Sequence, residues 1–516
     1  MLKPVESKVD FIALEHEILE FWEKNKIFQK RVDANHGNPK WSFLDGPITA
    51  NNPMGVHHAW GRTYKDIFQR YKAMKGFDQR YQNGFDCQGL WVEVEVEKQL
   101  GFKSKTDIEE YGIEKFVEAC KERVRKYSKI QTDQSIRLGY WMDWDNSYFT
   151  MSDENNYTIW HFLKTCHDRG WIYKGNDVLP WCIDCGAALS EHEIATEGYV
   201  ERTHTAIYIR FPLMNAENES LLVWTTTPWT LTSNVSAAIK SDMDYVKVKQ
   251  GDEFLYLAEN RVEILKEKGS YEIVEKLKGK KLLNRSYEGP FDSFEVQQGV
   301  EHKVIEWVDV NDEEGTGIVH IAPGCGHEDF ILAKDLDLAV IAPLDEFGTY
   351  LEGFGWLSGK NIRDVNQEIF DDLKSRGKLF KREQYTHRYP ICWRHKSDLA
   401  FRLVDEWFIS MDEFRHDIME ITRQIQWIPK WGEDQELDWL RNMDDWMISK
   451  KRYYGLALPI FKCQECGHFD VVGSETELKE RAVEGWDEFE GHSPHRPWLD
   501  AVKIKCESCG ARVSRI

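Results

Sequence analysis

Gly46-Pro47-Ile48-Thr49-Ala50-Asn51-Asn52-Pro53-Met54-Gly55-Val56-His57-His58-Ala59-Trp60-Gly61-Arg62 links a short apolar run to a helical one and sets two adjacent histidines at the junction. The run before it, Trp41-Ser42-Phe43-Leu44, is bounded by Asp-Gly-Pro and reads as a buried strand feeding a tight loop. After it, Trp60, Tyr64, Ile67, Phe68 and Tyr71 recur at helical spacing, which predicts a helix beginning near His57. In a strand, loop and helix of this kind, unpaired N–H groups and the positive end of the helix dipole face the loop and favour phosphate. Imidazoles there donate to phosphate oxygens and to charge developing in a transition state. Taken alone, paired histidines at a helix start are more often capping or packing residues, so the weight of a nucleotide triphosphate reading falls on the rest of the chain.

The chain has 516 residues, 41% apolar and 13% aromatic with 21 tryptophans, enough for several cores and for three or four domains. Its formal net charge of -21 excludes a general polyanion binder, so any nucleic-acid contact is local or supplied by a part not present here. No apolar run is long enough to cross a bilayer, and the segment from Phe11 to Trp22 reads as an acidic amphipathic helix rather than a signal peptide. A cytoplasmic protein without a membrane partner is expected. In a reducing compartment the 11 cysteines read first as metal ligands or buried thiols.

Strand-like and helix-like segments alternate over residues 1–169, which predicts a Rossmann-like parallel sheet covered by helices. Over 170–402 the texture changes to short β-rich pieces such as Leu221-Leu222-Val223-Trp224 and Gly317-Ile318-Val319-His320-Ile321, an independent, mainly β insertion. A return to the first domain is expected over 403–455, and a cysteine-bearing tail over 456–516. The expected class is therefore α/β with a β insertion and zinc-knuckle elements.

Cys463-Gln464-Glu465-Cys466 and Cys506-Glu507-Ser508-Cys509 are two C-x2-C knuckles, each followed by glycine, and together complete a closed four-thiolate zinc site. A second set, Cys182, Cys185, Cys392 and His395, flanks the β-rich insertion. If these four meet, a metal clamps the strands by which the insertion leaves and rejoins its host; otherwise His395 is an ordinary surface residue. Cys87, Cys120, Cys166 and Cys325 have no evident partner and read as buried or idle thiols.

Four blocks in order make the chain resemble the N-terminal portion of the class I isoleucyl-tRNA synthetases from Phe11 to its last residue. The stretch from Asp45 to Asp66 occupies the position of the family's HxGH signature. Gly84-Phe85-Asp86-Cys87-Gln88-Gly89-Leu90 is similar to its GWDxHGLP block. Trp224-Thr225-Thr226-Thr227-Pro228-Trp229-Thr230-Leu231, with Gly315-Thr316-Gly317-Ile318-Val319-His320-Ile321-Ala322-Pro323 and then Asp329, resembles its two editing signatures. Trp446-Met447-Ile448-Ser449-Lys450-Lys451-Arg452-Tyr453-Tyr454-Gly455 is similar to its WCISRQRYWG. Valyl and leucyl relatives carry arginine at the third position of the threonine run, so Thr227 favours isoleucine.

The resemblance implies ATP, Mg2+ and zinc as cofactors and substrates, isoleucine and tRNA(Ile) as partners, and hydrolysis of Val-tRNA(Ile) as a second activity. It implies that Gly55, His57 and His58 bind ATP, with the two histidines catalytic. The pattern departs here, because HxGH reads Gly55-Val56-His57-His58 with the first histidine and the glycine exchanged. A side chain at His57 crowds the approach of the adenine to the backbone unless the loop shifts. Asp86 is implied to hold the substrate ammonium, Gly46 and Pro47 to shape a pocket wall, and Gln88 and Tyr454 to complete the substrate site. Tyr454 replaces the family's tryptophan and adds a hydroxyl that must find a partner or face water. In the insertion, Asp329 is implied to bind the amino group of a misattached amino acid, while Thr225, Thr226, Thr227, Asn234 and His320 line the pocket and position water. Editing is expected physically, since one methylene is worth only about 1–3 kcal/mol, and discrimination of valine by this very family is the usual illustration of that limit.

The family's second signature, KMSKS, is not found; Met447-Ile448-Ser449-Lys450-Lys451 resembles it but sits inside the fourth block and before the last zinc knuckles. The helical anticodon-reading domain is not found either. A fragment or half of a split ligase, completed by a C-terminal remainder, is one expectation. A stand-alone hydrolase that deacylates mischarged tRNA is the alternative, and a degenerate tRNA-binding paralogue a third.

Overall fold

The computed structural model describes residues 8–43, 46–102, 105–189, 194, 198–450 and 452–516. The chain forms two compact units, one built from the chain up to Tyr173 and again from Ile409 onward, the other from Lys174–Phe408. Among the described residues no helix is long and apolar enough to cross a membrane.

The first unit is organised on a three-stranded parallel sheet of Ile48–Thr49, Gln82–Asp86 and Asp143–Phe149, in that order. Parallel pairing needs crossovers of a dozen residues or more, and helices Val56–Met74, Leu90–Leu100 and Ile113–Arg137 supply them. Phe85, Val92, Val96, Phe116, Val117 and Val124 fill the space between sheet and helices. The edge strand lies inside the quoted stretch rather than at residues 41–44. Lys40 makes a single parallel bridge to Asp78, and no strand continues through Trp41 to Phe43, while Leu44 and Asp45 lie outside the described residues.

Helix Val56–Met74 begins one residue before His57, with Gly55 as an extended N-cap. Its buried residues are Arg62, Asp66, Gln69 and Ala73, whereas Trp60, Tyr64, Ile67, Phe68 and Tyr71 are exposed. The helical period is as expected, but the aromatic stripe faces outward. Nearer the N-terminus, helix Phe11–Lys24 is capped by Asp10, whose carboxylate accepts from Ile12 N and Ala13 N at 3.1 Å each.

The tail forms small antiparallel ladders, Ile460–Lys462 with Phe469–Val471, and Ala482–Glu484 with Lys503–Lys505 and Arg512–Ser514. Trp160, Phe461, Val472, Leu478, Phe489, Leu499 and Ile504 form its core, and the Trp160 indole donates to Ala457 O at 3.0 Å.

The second unit contains a nine-stranded mixed sheet. Glu219–Thr225 runs through its middle, antiparallel to Tyr199–Pro212 and parallel to both Glu253–Ala258 and Val319–Ile321. The core residues Ile207, Ile209, Phe211, Leu221, Val223, Ile239 and Tyr245 lie at 0% exposure, as expected for strands covered on their inner face.

Candidate active and editing sites

In the first unit, two side chains follow the C-terminal ends of neighbouring parallel strands, where open α/β sheets bind ligands. Asp86 ends Gln82–Asp86, and its carboxylate accepts from the Thr49 hydroxyl at 2.9 Å and from the Thr150 hydroxyl at 3.4 Å. Thr150 Oγ1 is itself held by Cys87 N at 2.8 Å. The loop from Thr49 to Met54 is pinned from behind by the long helix: Gln131 donates to Thr49 O and Asn52 O, Arg123 to Asn51 O and Asn52 Oδ1, and Met54 N donates to Gln134. These bonds fix the loop before any ligand arrives, the condition under which positioning lowers a barrier. Gly46 and Pro47 lead directly into the edge strand, and a Cβ added at Gly46 would meet nothing within 4 Å.

At the mouth of the loop, Gly55 N donates to His58 Nδ1 at 3.0 Å. That bond uses the lone pair of Nδ1 and leaves the proton on Nε2, so His58 meets a ligand as a donor while uncharged. Partial burial, reinforced by His57 and Arg62, lowers the His58 pKa and keeps the ring neutral. His57 is exposed and lies against His58, with ring centroids 3.9 Å apart. Its ring also explains the exchanged glycine, because a Cβ on Gly55 would stand 2.8 Å from His57 Cε1.

Two of the expected substrate residues have other work. Gln88 commits its amide fully: Nε2 donates to Thr150 O and to Asn156 Oδ1, and Oε1 accepts from His495 at 2.8 Å. Tyr454 is fully buried in the core with Phe85 and Val92, its hydroxyl 3.3 Å from Met151 Sδ. Glu93 accepts from the backbone N–H of Tyr453 and of Tyr454, at 2.7 and 2.6 Å. Neither side chain presents a free polar atom to a ligand, so both support the site from beneath. His495 carried no sequence signal, since its partner is 407 residues away.

In the second unit a cavity of about 340 Å3 is lined by Thr225, Thr226, Thr227, Thr230, Gly315, His320, Cys325 and Asp329, among others. Gly315, at φ +59°, packs where a Cβ would strike the Trp224 ring at 2.8 Å. Asp329 stands in the first turn of helix His327–Leu336 and accepts from Ala322 N at 2.8 Å. Burial pushes its carboxyl up to about 6, against the opposing pull of that N–H.

His320 is held in one tautomer. Asn234 Nδ2 donates to Nδ1 at 3.4 Å, Nε2 lies 2.9 Å from Thr230 Oγ1, and Thr230 donates to Thr227 O at 2.8 Å. Burial lowers the imidazole to about 4, so it stays neutral and directs the threonine loop, with no lone pair left to act as a base. Asn234 is absent from the cavity lining. It is fully buried, accepts from the Tyr287 hydroxyl at 2.8 Å, and acts on the cavity through His320. Cys325, read as idle, lines the cavity wall; burial pushes its thiol up, which makes it a neutral surface rather than a nucleophile. Thr230 and Cys325 lie within or just past the threonine and His320 blocks, and adjacency was the signal that could have marked them.

Both expected metal sets assemble. In each of two groups among the described residues, Cys182, Cys185, Cys392 with His395 and Cys463, Cys466, Cys506 with Cys509, one ligand atom per residue lies within 4.8 Å of the others. Separations of 3.8 Å for Cys185–Cys392, 3.5 Å for Cys463–Cys509 and 3.7 Å for Cys466–Cys506 suit tetrahedral thiolate ligation. The knuckle glycines Gly467 and Gly510 sit at φ +74° and +79°, in the left-handed region that the turn requires.

A family model described as tRNA synthetases class I (I, L, M and V) matches residues 17–501. The chain belongs to the class I tRNA synthetases. This synthetase chain is 39% identical over 521 residues to an isoleucine–tRNA ligase of Clostridium novyi, covering 100% of the chain and 49% of the relative. Against the enzyme of that name from Thermus thermophilus the identity is 40%, over 98% of the chain and 48% of the relative. Against that from Sulfolobus acidocaldarius it is 37%, over 99% and 49%. The synthetase chain thus spans about half the length of the curated relatives it matches.

Proposed function

We propose that this chain carries the activation site and the editing pocket of an isoleucine–tRNA ligase, acting on isoleucine, ATP and tRNA(Ile) in the cytoplasm. The observation that carries the reading is the pairing of two separate carboxylates, Asp86 at the strand ends and Asp329 in a cavity of the other unit, each suited to an α-ammonium.

In the first site Asp86 holds the ammonium of isoleucine, which sets its carboxylate to attack the α-phosphate while pyrophosphate departs. His58 Nε2–H and the first N–H groups of helix Val56–Met74 receive the triphosphate. His57 lies on the exposed side of His58 and contributes a second donor. Mg2+ accompanying ATP would supply charge neutralisation of the triphosphate. In the second site Asp329 binds the ammonium of valine esterified to tRNA, and the threonine hydroxyls, oriented through His320 and Asn234, hold the water that attacks the ester. Cys182, Cys185, Cys392 and His395, and Cys463, Cys466, Cys506 and Cys509, would each hold a zinc ion, which would supply structural stability there.

The C-terminal remainder of the relatives is the proposed partner. The outward face of Trp60, Tyr64, Ile67, Phe68 and Tyr71 supports this, since an apolar patch of that kind on a domain surface marks a protein contact. With that remainder restored, isoleucine should drive pyrophosphate exchange into ATP, and valine should do so about 10–200-fold less efficiently. A second reading, a stand-alone deacylase, is favoured by one observation: every residue lining the editing cavity belongs to Lys174–Phe408. Absence of exchange with deacylation of Val-tRNA(Ile) intact would select it.

A further inference from the structure

His495 sits in the tail between the two cysteine knuckles, fully buried, with its ring stacked on Tyr454 at 5.7 Å and 18°. Both ring nitrogens are engaged. Nε2 lies 2.8 Å from Gln88 Oε1, and Nδ1 lies 2.9 Å from Ser493 Oγ. Lys121 Nζ donates to that same Ser493 oxygen at 2.9 Å while its ammonium rests 4.4 Å over the Trp498 ring.

The directions of these bonds are forced. The Thr150 carbonyl only accepts, so the Gln88 amide nitrogen faces it and Oε1 faces His495 Nε2, which must carry the proton. Nδ1 then accepts from the Ser493 hydroxyl, whose oxygen accepts from Lys121. The Gln88 amide nitrogen also donates to Asn156 Oδ1. The Thr150 hydroxyl, a separate group of the same residue, accepts from Cys87 N and donates to Asp86 Oδ1 at 3.4 Å. A donor-to-acceptor run therefore passes from Lys121 through Ser493, His495 and Gln88 to the backbone carbonyl of Thr150, which fixes the residue whose own hydroxyl touches the carboxylate. Reversing any member, for instance flipping the Gln88 amide, would set donor against donor or lone pair against lone pair in a buried place. Burial lowers the His495 pKa to about 4, with Lys121 acting in the same direction, so the run keeps its sense under ordinary conditions.

We infer that His495 is a positioning residue for Asp86, and that through it the cysteine-bearing tail sets the affinity of the first site for its amino acid while leaving nucleotide affinity alone. This rests on the activation reading above. The triphosphate end does not share the run, since His58 is fixed by Gly55 and the loop by Arg123, Gln131 and Gln134.

The test is calorimetric titration of isoleucine, and separately of ATP with Mg2+, into the chain and its variants. His495→Phe keeps the ring, its stacking and its volume but strands Gln88 Oε1 and Ser493 Oγ. It should weaken isoleucine binding about tenfold, with ATP binding unchanged. His495→Gln restores a donor toward Gln88 and should recover most of the loss, which a merely structural role would not predict. Ser493→Ala, a smaller change, should weaken isoleucine about two- to threefold and serves as the deciding variant if His495→Phe does not fold. Deacylation of Val-tRNA(Ile), which belongs to the other unit, reports that each variant is intact elsewhere. Equal losses for isoleucine and ATP, or no loss in any variant, would overturn the inference with the activation reading untouched. An unsubstituted chain that takes up no isoleucine would overturn both.

Discussion

The two units set a carboxylate in opposite surroundings. Asp86 stands among hydroxyls, with Thr49 and Thr150 on its oxygens and a pinned loop beside it. Asp329 has one backbone N–H, from Ala322, and a wall of buried side chains that pushes its carboxyl up to about 6. The first arrangement spends hydrogen bonds on orientation and the second relies on enclosure, as the proposed activation and editing roles require. A carboxylate held by polar neighbours and a carboxylate held by burial thus occupy separate units of one chain.

The largest expected effect comes from the metal clusters, because structural zinc contributes on the order of 10 kcal/mol to folding. Cys463→Ser should abolish isoleucine activation and lower the melting temperature while deacylation persists; parallel loss of both activities would break the division. Asp86→Ala should then reduce exchange with isoleucine by roughly 10^3-fold and spare deacylation. Asp329→Ala should do the reverse, cutting deacylation of Val-tRNA(Ile) by roughly 10^2-fold with exchange unaltered.

Acidity sharpens the contrast further. Only the ionised Asp329 pairs with an ammonium, so kcat/KM for deacylation should fall about tenfold per pH unit as the pH drops below about 6. Stability should move the other way. The folded carboxyl binds its proton more tightly than the unfolded one, so over that window the fold gains stability as pH falls and loses it as pH rises through about 6. His320, lowered to about 4, stays neutral across most of this range. A deacylation limb that follows loss of fold rather than gain would sink the assignment. The smallest effect is expected from Asn234→Ala, which frees His320 Nδ1 and should slow deacylation about fivefold without touching isoleucine activation.

Much of this was legible before any coordinates. Knuckle spacing marks ligands because two thiolates two residues apart fit one tetrahedral ion, and both sets do assemble. The start of helix Val56–Met74 was readable from the helical period. Which face of that helix turns inward was not, since Arg62 and Asp66 are buried with polar partners, and Gln69 against the Met142 sulfur, none of which a hydrophobic count registers. The strand sought at residues 41–44 was misplaced for a similar reason: an aromatic run mimics a strand, while Ile48–Thr49 is too short to show a period. Gln88, Tyr454 and Asn234 fell at motif positions, yet each works through a neighbour, and His495 was invisible because its bond spans most of the chain.

The back-bond from Gly55 to the ring of His58 also bears on acidity. A grip that relies on an uncharged ring pointing its one proton outward has no ionic switch in it. On the proposed activation reading, nucleotide binding should therefore stay level as the pH moves about neutrality.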